Sequence, residues 1–387
     1  MSQTLQARTI RRIDEVDAAA WNALTGGRYP HLRHEFLHAM EEFGCLGEAV
    51  GWLPCHLIFE DAGRLAAAMP MYLKFNSFGE FVFDGSWANA HERAGLDYYP
   101  KLVIASPFTP ATGPRILIAP DYDNAASAAD CIETALAYAR AMGVSSCHWL
   151  FPTDQALLNS PQLLLRQGYQ FHWHNRDYRD FDHYLSCLNS RRRKQIRKER
   201  REVREAGVTC RRLHGNDLSD QDWAVFHRLY QATFERHGNY PALTKAFFEA
   251  LGRTMGENIL VILAERHAQI VAASFFLIGN ETLYGRYWGC FEEISSLHFE
   301  ACYYLGLEYC IEHRLKRFEP GAQGEHKISR GFLPTATWSM HWIADPRFRR
   351  AIGDFLARER PMVRQYMEEL NGHSPFRCGD SPDVTDR

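Results

Sequence analysis

Residues 295–342 read SSLHFEACYYLGLEYCIEHRLKRFEPGAQGEHKISRGFLPTATWSMHW, and this stretch decides the fold. Its apolar and aromatic residues recur at helical spacing and predict a helix over 295–314. KRFEPGAQ then reads as a short strand, GEHKISRGF as a polar loop punctuated by glycine, and TATWSMHW as a second strand. A helix that feeds strand, loop and strand builds a mixed α/β sheet, and chemistry collects at the ends of such strands. Here Glu319, Gln323, Glu325, His326, Lys327 and Arg330 gather in one short segment.

Working outward, the same order of elements occurs twice. In the first half a hairpin is expected over 53–75 with its turn at 60–64, then a strand over 79–85 and a helix over 124–142. A strand over 147–152 follows, and 164–173 reads as a helix end, a turn and a strand. The second half repeats this as a hairpin over 259–279, a strand over 281–290 and the helix 295–314 with its following strands. A duplicated unit predicts two similar mixed α/β domains. We place them at 1–180 and 181–370, the second carrying a basic helix over 186–206, with a polar tail at 371–387 expected to be disordered. The halves differ mainly at 86–115, read as a long irregular loop. Trp87, His91, Tyr98, Tyr99, Lys101 and Arg115 there are cleft candidates, with a plain structural loop as the equal alternative.

Bulk properties narrow the function. The 387 residues are 46% apolar with a net charge of −3, so any attraction to phosphate must be local. Ten cysteines without a C-x-x-C pair argue against a zinc site or a disulfide framework. The first residues are polar, and no apolar run approaches the ~18 residues of a membrane span. The expectation is a soluble, cytoplasmic protein with reduced thiols. His34-Glu35-x-x-His38 matches the zinc-protease pattern, but no third ligand follows on a helix, and a solvated helix face is the better reading.

The segments HLRHEFLHAMEEFG, AMPMYLKFNSFGEFVFD, SRRRKQIRKERREV, LYGRYWG and FEPGAQGEHKISRGF together carry a family resemblance. Over about residues 30–370 the chain resembles the FemAB-like bacterial N-acyltransferases, relatives of the peptidoglycan aminoacyl transferases. The resemblance implies two tandem GNAT-like domains and acyl transfer to an amine on a peptide or small molecule. It also implies no permanently bound cofactor. The donor would be aminoacyl-tRNA, as in FemAB enzymes, or acetyl-CoA, as in single-domain GNAT enzymes. Two departures stand out. The long helical arm of tRNA-using relatives is replaced by one moderate basic helix. The glycine-bearing basic loop that holds the CoA diphosphate is also missing. In its place stand Cys290-Phe291-Glu292-Glu293-Ile294-Ser295-Ser296 and, earlier, Pro120-Asp121-Tyr122-Asp123-Asn124, whose carboxylates would repel phosphate.

N-acyl transfer needs a group that takes the proton from the attacking amine and a donor for the developing oxyanion. Glu319, Glu325, His298 and Glu300 are the candidate catalytic residues. Arg286, Tyr287, Trp288, Gln323, His326, Lys327 and Arg330 are candidates for holding substrate. Strand alternation would put Arg286 and Trp288 on one face with Tyr284, and Tyr287 on the other. In the basic run, Arg192, Arg193, Lys194, Arg197, Arg200 and Arg201 are candidates for gripping a phosphate-bearing donor. The competing reading is a solvated helix whose glutamates pair locally. Two rival functions remain open: a CoA-dependent acetyltransferase of a small amine, and a non-catalytic binder built on a degenerate GNAT fold.

Overall fold

The computed structural model describes residues 5–322 and 324–377. The chain forms two compact units. The first comprises the described residues up to Tyr169 together with Ala336–Arg364, and the second comprises Gln170–Thr335 together with the described residues from Gln365 onward. A linear division at 180/181 therefore does not follow which strands complete which unit.

In the first unit, Gln6–Ile10, His56–Asp61, Arg64–Met69 and Leu117–Ile118 form an antiparallel sheet. The expected hairpin is its centre, with Ala62 and Gly63 taking positive φ in the turn. The strands Trp52–Pro54, Met71–Lys74, Lys101–Ile104 and Ser146–Leu150 continue the unit, the last two in parallel. Helix Ala125–Ala141, capped by the Asn124 side chain, makes this parallel connection. Cys131, Ile132, Ala135, Leu136 and Ala139 pack from it onto Leu57, Met69, Leu102, Ile104 and Trp149. The strand that closes the unit comes from far along the chain: Ser339–Ile343 pairs antiparallel with Ser146–Leu150.

The second unit is built in the same way. Thr209–His214, Ile259–Arg266, Gln269–Ile278 and Thr282–Cys290 form an antiparallel meander. Helices Asp220–Arg236 and Lys245–Met255 cover one face through ring contacts among Trp223, Phe226, Phe248, Phe275 and Tyr287. The 295–314 helix is present as Leu297–Phe299, a π turn at Glu300–Tyr304 and Leu305–Glu312. It leads into Arg317–Glu319, which runs parallel to Thr282–Cys290. Trp173 and His174, from the first half of the chain, complete this sheet beside Arg317 and Phe318.

Several expectations change. Residues 79–84 form an irregular, hydrogen-bonded loop rather than a strand, because their polar side chains turn inward. The segment read as a long loop contains helix Gly85–Arg93 and strand Lys101–Ile104. Leu164–His174 is one continuous strand, although it contains Gly168. The last helix, Pro346–Asn371, contains Pro361. Part of the tail expected to be disordered is tied down: Asn189 N donates to Pro375 O at 2.8 Å and Arg377 N to Cys187 O at 3.1 Å. Residues 378–387 lie outside the described residues. All nine described cysteines are free thiols.

Candidate functional site

In the second unit the candidate loop follows the point where two parallel strands part. Their ladder pairs Thr282, Leu283 and Tyr284 with Arg317, Phe318 and Glu319 and ends there. Beyond it the chain turns at Pro320 and Gly321, close enough that a Cβ on Gly285 would sit 3.2 Å from Pro320 Cα. Glycine at 285 permits this approach. On its other side the strand Thr282–Cys290 is bulged. Phe275 opposes Tyr287 and Phe276 opposes Gly285, so Arg286 is the inserted residue. The bulge breaks the simple alternation expected for this strand. Tyr287 joins Tyr230, Phe248 and Phe275 in the aromatic core, and Trp288 faces His298, with ring centroids 5.4 Å apart. Arg286 lies over the Tyr287 ring at 5.3 Å.

The polar loop forms a 3-10 helix, Glu325–Arg330, and its side chains take unlike roles. Arg330 is buried; its guanidinium donates to both Glu199 carboxylate oxygens at 2.9 and 3.0 Å and to Tyr304 Oη at 2.9 Å, and stacks 3.4 Å above Phe299. The Tyr304 hydroxyl also donates to Glu199. Arg330 thereby fastens the loop to the basic helix. Glu325 is exposed and accepts from Tyr366 Oη at 2.5 Å. His326 Nε2 lies 2.9 Å from Tyr303 Oη, and its ring centroid is 6.0 Å from that of His298. Glu319 is buried, with Arg317 Nε 3.2 Å from one carboxylate oxygen. Gln323 lies outside the described residues.

Lys327 differs from all of these. Its side chain is buried, and Nζ donates to the Gly321 carbonyl at 2.8 Å. Desolvation pushes this amine down from 10.5 to about 7, and the neighbouring Cys302 only partly opposes the shift. His298 is lowered to about 4, first by burial and then by His326, Arg330 and Lys327, so its imidazole is neutral at pH 7. His298 and Trp288 also line a cavity of about 450 Å³ with Arg236, Glu292, Glu293 and Ser295. Arg236 lies 4.0 Å from Glu293, and Arg266 lies 3.6 Å from Glu292. The arrangement offers a buried amine pushed toward neutrality, close enough to lower the neutral His298 imidazole, which itself lines an acid-rimmed cavity with the Trp288 indole. Tyr303 is the member that sequence reasoning missed. Its spacing from Phe299 and the loop histidine's need for a partner were the available signals.

The basic helix Ser190–Glu205 is capped by Asn189 and buries Ile196, Glu199 and Val203 along one face. Its cations divide into two groups. Arg200 is committed to Glu300, at 2.8–3.1 Å through Nε and Nη2, and also pairs with Glu308. Glu300, a catalytic candidate, is thus buried and paired with a half-buried arginine. Arg192 bonds Gln195 at 2.9 Å, and Arg193 reaches Leu188 O at 3.5 Å. Lys194, Arg197 and Arg201 are exposed, spaced three and four residues apart on one stripe, with Arg197 3.3 Å from Asp182 and Arg201 3.6 Å from Glu205. Arg197, Arg200, Arg201 and Arg204 line a cavity of about 560 Å³ with Phe181, Asp180, Asp182 and Glu308.

Elsewhere, His34 and His38 stack, while Glu35 is bound by Arg33 and Asn22. Among the described residues no three His, Cys, Asp or Glu side chains cluster as metal ligands. Among them, too, no helix is long and apolar enough to cross a membrane.

Comparison with known proteins adds the following. A family model named FemAB-like and described as peptidoglycan biosynthesis/recognition matches residues 12–378. A comparison with curated proteins finds no match. Among solved structures, the C-terminal domain of a putative lysylphosphatidylglycerol synthetase from Agrobacterium fabrum aligns with 7% identity over 88% of this chain and 96% of its own, at a TM-score of 0.53. L-PGS from Bacillus licheniformis aligns with 10% identity over 84% and 95%, at a TM-score of 0.50. FemX aligns with 11% identity over 81% and 93%, at a TM-score of 0.47. At these identities the likeness concerns the fold alone.

Proposed function

From the premise that this chain belongs to the FemAB-like family of peptidoglycan biosynthesis and recognition, we propose that it is an N-acyltransferase. In this reading it moves an aminoacyl group from aminoacyl-tRNA to the amine of a peptide or small molecule, with Lys327 as the proton carrier. The observation that carries the reading is the buried Lys327 amine, held near neutrality at the point where two parallel strands part. A group with a pKa close to the working pH serves best as both acid and base. The acceptor nitrogen attacks the ester carbonyl and loses its proton to Lys327 Nζ. The ester C–O bond then breaks, and the same proton passes to the departing ribose oxygen. Neutral His298 and Trp288 would orient the acceptor, and the exposed stripe Lys194, Arg197 and Arg201 would hold the phosphates of the donor. The acidic rim of Glu292 and Glu293 disfavours the diphosphate of CoA, so acetyl-CoA ranks second as donor.

The test combines binding and turnover. Melting is followed with aminoacyl-tRNA, uncharged tRNA and acetyl-CoA at two salt concentrations, alongside transfer of labelled amino acid to a stem-peptide amine. A ligand at about 100 times its Kd adds about 2.7 kcal/mol of stability. The expected result is a salt-sensitive shift with aminoacyl-tRNA, and transfer that rises through about pH 7 and is lost in Lys327→Met. A shift with acetyl-CoA alone would replace the donor assignment. Full transfer by Lys327→Met would remove the lysine from the mechanism.

A further inference from the structure

The first unit carries a surface that the transferase reading does not use. From Lys74 to Asp84 the chain runs Lys-Phe-Asn-Ser-Phe-Gly-Glu-Phe-Val-Phe-Asp, and this loop is folded inside out. Its polar side chains point inward, where Lys101 Nζ donates to Ser77 Oγ at 2.9 Å, to Glu80 at 2.8 Å and to Asp84. Tyr98 Oη also donates to Asp84, at 2.6 Å. Glu80 and Asp84 are 3% and 2% exposed, while Phe83 is 73%, Phe75 46% and Phe81 42% exposed. The loop cannot hide these rings by a local flip. Trp52 Nε1 and Lys74 Nζ both donate to Phe78 O, at 2.8 and 3.0 Å, and Arg166 Nη1 donates to Phe83 O at 2.7 Å.

Arg166 also pairs with Glu359 at 2.7 and 2.9 Å, tying the loop to helix Pro346–Asn371. On that helix Phe355, Arg358 and Met362 follow at spacings of three and four residues, so they form one strip next to Glu359. Met362 is 70% exposed. Of the ten large apolar side chains exposed among the described residues, six belong to this loop and this strip, so the exposure is concentrated rather than scattered. Burying Lys74, Glu80, Asp84 and Lys101 while displaying phenylalanines costs stability on both counts. A patch of this kind marks a docking surface.

We propose that this face docks onto the surface of an anionic lipid bilayer, with Phe83, Phe81 and Met362 entering the headgroup boundary and Arg358 meeting lipid phosphates. Charge argues for this occupant. Of the arginines in residues 346–364, Arg347 pairs with Asp345, and Arg349, Arg360 and Arg364 bond Gln162, Leu165 and Gln167. Arg350 and Arg358 are exposed against Asp354, and Glu359 is already paired with Arg166. Exposed Arg358 stands between the two apolar side chains of its strip. Protruding rings beside cations fit an anionic interface, whereas a second copy would bring the same cations face to face.

The test is co-sedimentation of the full chain with vesicles of phosphatidylglycerol and phosphatidylethanolamine, compared with phosphatidylcholine vesicles. The variants are Phe83→Ser with Met362→Gln, and Arg358→Glu. All three side chains are exposed, and an unchanged melting temperature confirms that the variants fold. The wild type is expected to sediment with the anionic vesicles and only weakly with the neutral ones. The double variant should bind about tenfold less, and Arg358→Glu should lose the preference for anionic lipid. Absence of vesicle binding by the wild type, or equal binding by the double variant, overturns the proposal. Concentration-dependent dimerisation in light scattering, abolished by the double variant without any vesicle binding, would reassign the face to a second copy.

Discussion

Replacing Lys327 by Met keeps the length of the buried side chain and removes its amine, so the effect on stability can be worked out from burial. The folded amine sits at about 7 against 10.5 in the unfolded chain. Between these values the unfolded state holds a proton that the folded state does not, so wild-type stability rises with pH by about 1.4 kcal/mol per unit. The cost of burying the lysine is fully present below the folded value and vanishes above the unfolded one. Between about pH 7.5 and about pH 9, the wild type should gain roughly 2 kcal/mol that Lys327→Met does not. Urea unfolding of both proteins at the two pH values reads this as a change in their difference in stability. The methionine variant should hold its largest relative advantage at the lower pH, offset by about 1 kcal/mol for the lost bond to Gly321 O. A stability difference that stays constant across the window would mean that the amine is charged and paired in the folded protein, and Lys327 would then be a poor proton acceptor.

Two further outcomes follow from the basic helix. Arg200→Ala leaves Glu300 buried without the guanidinium that now binds it, and should cost about 3 kcal/mol in urea unfolding. Replacing Lys194, Arg197 and Arg201 by Gln removes only exposed charges and two exposed ion pairs, to Asp182 and Glu205, so it should leave the melting temperature nearly unchanged while lowering tRNA affinity. It should also flatten the log–log dependence of affinity on salt by about two to three, read by filter binding across a salt series.

The sequence made the repeat visible because hairpins and amphipathic helices have short-range signatures. Helix Ala125–Ala141 and the hairpin Ile259–Ile278 lie close to where periodicity puts them. The candidate loop 319–330 was legible for a related reason, its density of polar residues between two strands. What could not be read was how those residues divide their work. Arg330 and Lys327 are both cations of the same loop, yet one meets Glu199 and the other meets a backbone carbonyl. That difference depends on a glutamate more than a hundred residues away. The basic run held the same ambiguity, since nothing local distinguishes Arg200, which is committed to Glu300 and Glu308, from exposed Arg197 and Arg201. The strand expected at 79–85 failed because alternation of phenylalanine with polar residues resembles a half-buried strand, whereas Lys101 draws the polar members inward. The bulge at Arg286 left no mark in the sequence and displaced Tyr287 into the core.

The late arrival of Ser339–Ile343 at the strand Ser146–Leu150 has a consequence during synthesis. His148 and His341, hydrogen-bonded across this ladder, are 193 residues apart. At about 5–20 residues per second, the ribosome needs roughly 10–40 s to deliver the second after the first. Until then the edge of Ser146–Leu150 is an open template of backbone donors and acceptors, able to pair with any other nascent chain. A nascent chain of this protein is therefore most exposed to misassembly after its first half has emerged, and a holding chaperone would serve it best within that interval.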